Sequence, residues 1–74
     1  MRGAFHATHV VSGRGTPAWE QPDPTKPSVE TLAPWREVQV IDQIGSWANI
    51  VTNDGWEGWC DVHALMPRAG GRRR

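Results

Sequence analysis

The residues best suited to chemistry here are five tryptophans, Trp19, Trp35, Trp47, Trp56 and Trp59, in a chain with one Phe and no Tyr. Flat aromatic faces bind apolar, planar or cationic groups, and each such ring carries ~150–250 Å² of surface. Acids lie close to several of them: Glu20 beside Trp19, Asp23 four residues on, and Glu37 two residues past Trp35. An acid next to an aromatic surface selects a basic residue in a ligand. Two further pairs have the elements of a metal or thiol site, His6 with His9 and Cys60 with His63, each three apart in sequence. Four such ligands could hold zinc tetrahedrally. Both pairs lack the glycine knuckle that makes such spacing specific, so no metal and no other cofactor is expected. Cys60 with His63 could also form a thiolate–imidazole pair, but a cysteine inside a strand is more often a buried, inert one. No glycine-rich phosphate loop and no paired carboxylates are visible, and the expectation is a non-enzymatic protein.

The charge balance narrows the partners. Eight basic and eight acidic residues cancel, yet all eight acids lie between Glu20 and Asp61, while Arg68, Arg72, Arg73 and Arg74 crowd the C-terminus. Single-stranded nucleic acid stacks on aromatics but needs a positive groove. Arg14, Lys26 and Arg36 are interleaved with acids, so nucleic acid is disfavoured. A single cysteine allows no internal disulfide, no signal peptide is recognised, and no apolar run reaches the ~20 residues of a membrane helix. These features set the expectation of a cytoplasmic chain without a membrane segment.

The elements that must position the tryptophans are short and β-prone. Residues 1–6 read as a flexible lead-in, 7–67 as one domain and 68–74 as a basic, disordered tail. Residues 7–12 form a first strand that ends at Gly13, Arg14 and Gly15. The segment 16–34 holds five of the six prolines. Proline lacks the N–H of a central strand, so this reads as a stiff excursion with β arms at 18–20 and 29–32. Residues 35–44 alternate, with Val38 and Val40 inward; 47–52 alternate again, with Ala48 and Ile50 on one face and Trp47, Asn49 and Val51 on the other. Gly45 with Ser46, and Asn53, Asp54 and Gly55, are the hairpin turns between these strands and 56–60. Gly58 permits a close backbone approach. Trp59 is assigned to the core. Residues 61–65 fit one helical turn, followed by a last strand at Leu65 and Met66.

In combination these residues resemble the bacterial type of Src-homology-3-like domain. Leu32, the Val38 and Val40 pair, Gly45-Ser46-Trp47, Ile50, the Asn53-Asp54-Gly55 turn, Gly58-Trp59 and the closing Leu65 occur in that family's order, over residues 9–66. Cys60 stands where the pattern often has valine. The resemblance implies an all-β fold, a small five-stranded SH3-like barrel with a long proline-rich loop after the first strand and one short helical turn before the last. It also implies a binding module. In the eukaryotic relatives a tryptophan at the place of Trp47 lines a groove for proline-rich peptides, and exported bacterial relatives often target cell-wall peptides. The expected ligand site is therefore a groove of Trp47, Trp19, Trp35 and Trp56, with Glu20, Asp23 and Glu37 for selectivity and a protein or peptide as partner. The alternative is a structural or assembly domain in which Pro22, Pro24, Pro27 and Pro34 cover the rings from within.

Overall fold

The computed structural model describes residues 5–68; residues 1–4 and most of the arginine tail, 69–74, lie outside the described part. The fold is small and almost wholly β. Strands β1 (His9–Val11), β2 (Thr16–Ala18), β3 (Glu30–Leu32), β4 (Glu37–Ile44), β5 (Trp47–Val51) and β6 (Glu57–Asp61) precede a single 3₁₀ turn, Val62–Ala64, and β7 (Leu65–Pro67). β4, β5 and β6 form an antiparallel meander, and β1 lies between β4 and β7, giving the order β6-β5-β4-β1-β7.

Alternation fixes which side chains face inward. Val11, Ala18, Leu32, Val38, Ala48, Ile50 and Cys60 are fully buried and Leu65 nearly so, with Val40, Trp56 and Val62 packed against them. Each large member contributes ~1.5–3 kcal/mol by leaving water. The inward placement of Val38 holds, Val40 is half-buried against the cluster, and Ala48 and Ile50, read as sharing one face, are both buried. A register shift between Val40 and Asp42 leaves Ile41 as the odd residue, and it is exposed.

Three expectations need correction. Among the described residues seven strands form, in a five-stranded and a two-stranded sheet, rather than five strands in a closed barrel. The proline-rich segment has more ladder than expected, because its arms pair as β2 with β3 and Pro17 lies opposite Thr31 in this two-stranded piece. Proline is tolerated there because a two-stranded sheet leaves one side of each strand unpaired. The small sheet meets the large one through a single bridge, where Trp19 and Trp59 exchange backbone bonds of 2.7 and 2.8 Å. Finally, Trp59 is not in the core. Gly58 and Cys60 take the inward positions of β6, so Trp59 stands opposite Asn49 on the other face, half-buried.

Gly58 makes the junction possible. A Cβ there would lie 2.8 Å from the carbonyl oxygen of Trp19 and would collide with the Trp56 ring. The expected close approach is thus real, and it joins the proline-rich arm to the meander. Among the described residues, no helix is long and apolar enough to cross a membrane.

Candidate functional site

Trp19 and Trp47 come together. Trp19 directly follows β2, and both its backbone and its ring are held. Its N–H and C=O bond to Trp59, and its indole Nε1 donates to the carbonyl of Lys26 at 2.8 Å. That last bond requires the intervening loop to turn back on itself. Asp23 organises the turn: its Oδ1 accepts from the backbone N–H of Thr25 at 3.0 Å and from the Thr25 hydroxyl at 2.6 Å, and Lys26 N–H donates to its carbonyl. Val29 N–H then returns to the Ala18 carbonyl at 2.8 Å. The prolines reduce the freedom such a loop would otherwise lose on ordering.

Trp47 opens β5, just after the tight turn at Gly45, whose φ of 58° suits glycine. In the ladder it lies opposite Ile44 on one side and Asp61 on the other. Directly paired residues project to the same face. Ile44, Trp47 and Asp61 therefore form a row across the sheet, on the face away from the core. The Trp19 and Trp47 rings meet edge to face, with centroids 5.2 Å apart and planes at 86°. They line an open cleft of about 310 Å³ together with Pro24, Ser46 and Asp61. A smaller hollow of about 170 Å³ also adjoins Trp19, between Glu20, Gln21, Lys26, Pro27 and Val29.

The cleft carries negative charge. Asp61 Oδ1 accepts from the backbone N–H of His63 at 2.9 Å and contacts His63 Nδ1 at 3.0 Å. The backbone bond from His63, then the ring contact, hold its carboxyl below the usual range. Asp23 is lowered likewise, first by the Thr25 hydroxyl and then by the Thr25 N–H. Both are carboxylates at neutral pH, so the proline-rich arm and the end of β6 each bring an anion near the paired rings.

The other expected site residues lie elsewhere. Trp56 caps the core, its ring over Gly58, beside a small hollow formed by Glu30, Leu32, Arg36, Thr52 and Asp54. The turn before it is tied by the Thr52 hydroxyl to Asp54, which also pairs with Arg36 at 3.5 Å. The Thr52 hydroxyl, followed by the Trp56 N–H, lowers the Asp54 carboxyl. Trp35 is 63% exposed, stands against Gly13 and has a φ of 67°, unusual for a bulky residue. Glu37 pairs with Arg68 at 2.9 Å near Phe5, His6 and Ala7, and takes no part in the cleft. Arg68 also donates its N–H to Thr8, so the first residue of the supposed tail is bound to the domain. Of the seven expected ligand residues, Trp19 and Trp47 line the cleft, Glu20 and Asp23 belong to the arm beside it, and Trp35, Trp56 and Glu37 are separate.

Cys60 and His63 are also separated in function. Cys60 is fully buried, and burial, with a smaller contribution from Asp61, pushes its thiol up to about 11. His63 is exposed and faces Asp61. Among the described residues, no group of three or more His, Cys, Asp and Glu side chains is placed to hold a metal ion. Asp61, Ser46 and Ile44 are the site neighbours that the sequence reading left out, and Pro24 entered it only in the alternative, as a cover for the rings. The turn at Gly45 carried the signal for Ile44, since a two-residue turn sets it against Trp47.

Comparison of the chain with family models, with curated proteins and with solved structures gave no significant match.

Proposed function

We propose that this chain is a non-enzymatic, Src-homology-3-like module that binds a protein or peptide segment in the Trp19–Trp47 cleft. The observation that carries this reading is the cleft itself: two tryptophans at right angles, one fixed by backbone and indole bonds, open to solvent beside a carboxylate. The order of elements supports the fold assignment. A long arm follows the first strand, a three-stranded meander follows the arm, and a 3₁₀ turn leads to a last strand beside the first. Aromatic planes suit a polyproline II segment, which is already extended and loses little entropy on docking. A proline-rich peptide is therefore the first ligand class to test, with cell-wall peptides the second. Cys60, buried and protonated, has no reach to act as a nucleophile.

The test is a two-dimensional NMR spectrum of the indole N–H groups during titration with both peptide pools. Shifts centred on Trp19 and Trp47, lost in a folded Trp47→Ala variant, are the expected result. Indoles that do not move with any peptide would sink the reading.

One observation favours a second reading, a structural or assembly domain that covers its own rings. Pro24 and Pro27 both stand against Trp19, and the loop is pinned there by the Nε1 bond to Lys26. Iodide quenching separates the two. A ligand cleft leaves Trp47 quenchable in addition to the exposed Trp35, whereas a covered one leaves Trp35 alone.

A further inference from the structure

We propose that the Trp19–Trp47 corner receives a quaternary ammonium group, carried as a trimethylated lysine side chain by the bound peptide, with Asp61 as its counter-charge. This rests on the reading of the cleft as a peptide site and names the chemistry that the site selects.

Three features of the cleft point the same way. First, rings crossed edge to face at 86° form a corner between the face of one ring and the part of the other's face that the edge leaves open. Each face attracts a cation within about 6 Å of its centroid, most strongly when the cation is poorly hydrated, and tryptophan is the best ring for this. Second, the corner is built in advance. Trp19 has its one polar group engaged by Lys26, and its backbone is bridged to Trp59, so its ring face needs no ordering by the ligand. Third, the anion is oriented. Asp61 lies directly across the ladder from Trp47 and lines the same cleft.

The state of Asp61 distinguishes among cations. Its Oδ1 already faces two nitrogens of His63, at 2.9 and 3.0 Å. An arginine fork works best on a carboxylate with both oxygens open. Here it would find one of them engaged. An unmodified lysine ammonium is compact and strongly hydrated, and its three donors need acceptors once it leaves water. A trimethylammonium group has no N–H to satisfy. It needs only charge nearby and polarisable faces around it, and the cleft offers these. The volume, about 310 Å³, lies at the lower end of the range for small-ligand sites and is consistent with a single head group rather than a large ligand. Glu20 and Asp23 on the adjoining arm add to the negative potential. Lys26, which lines the smaller hollow at Trp19, lies close enough to Asp23 to offset part of that potential.

The experiment uses the whole chain with its indole N–H groups followed by NMR. Choline is titrated against 3,3-dimethylbutan-1-ol, which has the same shape without the charge. A proline-containing peptide with trimethyllysine is then titrated against the same peptide with lysine. Choline and the methylated peptide are expected to shift Trp19 and Trp47, and to bind about tenfold more tightly than the neutral alcohol and the lysine peptide respectively. Asp61→Asn should remove most of that preference while leaving the alcohol unaffected. Because Asp61 also caps the 3₁₀ turn, the charged and neutral probes on the unaltered chain decide the matter if the variant unfolds. Equal affinity for choline and the alcohol overturns the proposal. So does a lysine peptide that binds as well as the methylated one, while leaving the peptide-binding reading intact. Choline binding without any response to the methylated peptide overturns the peptide source. Silence of both indoles toward every peptide removes this proposal and the module reading together.

Discussion

Trp47 and Trp56 stand at opposite ends of the hairpin formed by β5 and β6, and the fold uses them in opposite ways. Trp56 lies over Gly58 and packs against the buried cluster that includes Leu32 and Ile50. Trp47 lies on the other face of the sheet, between Ile44 and Asp61, and meets only the edge or face of Trp19 in its aromatic contact. The residue type is the same, and both rings are partly covered. What differs is the neighbour: a glycine that makes room beneath one ring, and an acid placed across the ladder from the other. A tryptophan above a glycine completes a core, whereas one beside a charge keeps that charge accessible and cannot be fully buried with it.

Substituting each tryptophan is the strongest way to break this contrast. Trp56→Ala should lower the unfolding free energy by about 3 kcal/mol, in the range of large aromatic truncations. Trp47→Ala should cost less than about 1 kcal/mol, as outer-face changes do. Urea midpoints measure both, and equal losses would erase the distinction. Next in size is Gly58→Ala, expected to destabilise by about 2 kcal/mol because the new methyl meets the Trp19 carbonyl and the Trp56 ring together. A stable Gly58→Ala chain with unmoved Trp19 and Trp56 indoles would show that the junction tolerates what its geometry excludes.

A smaller effect concerns pH and sharpens the inner side of the comparison. The Cys60 thiol titrates near 11 in the folded chain against an ordinary value of 9.0. Between those values the unfolded chain has lost a proton that the folded chain keeps, so stability is full below pH 9 and falls as pH rises toward 11. Melting temperature should drop over that window more steeply than in Cys60→Ala, and identical slopes would mean that the thiol is more open than its burial indicates. The smallest expected change is Trp35→Gly. Loss of an exposed ring is offset by relief at a φ of 67°, so the urea midpoint should stay within about 0.5 kcal/mol equivalent of the unaltered chain. A large loss would place Trp35 with Trp56 among the structural rings.

The strands were legible because their signals are local. Val38 stands between Glu37 and Gln39, Ala48 and Ile50 recur at period 2 along β5, and glycine marks the turns at Gly45 and Gly55, both of which have positive φ. The 3₁₀ turn was legible from its short length and its place before the last strand, whereas the cap that Asp61 supplies to it was not. The candidate site was half legible. Trp19 and Trp47 belong together, but nothing in the spacing of Trp35 or Trp56 says which face of which sheet they reach. Glu37 looked free and is bound by Arg68, thirty-one residues away in sequence. Trp59 was assigned inward from its place in the Gly58-Trp59 ending of the strand. The choice actually turns on Gly58 and Cys60, whose small side chains fit the crowded face where the arm crosses. Such outcomes depend on partners brought in from distant parts of the chain, which no local window contains.

The placement of β1 between β4 and β7 has a consequence for how the chain acquires this shape. The meander of β4, β5 and β6 is made of neighbours and can close as soon as its two turns form. β1 has no local partner and must wait for both the meander and the last strand. Contacts between such distant segments carry the loop-closure cost that slows folding. On a ribosome, then, β1 emerges ahead of both its partners, β4 and β7, and is secured only once they have formed. Until then Val10 and Val11 remain an unpaired, β-prone stretch open to other chains, and completion of β7 closes that interval.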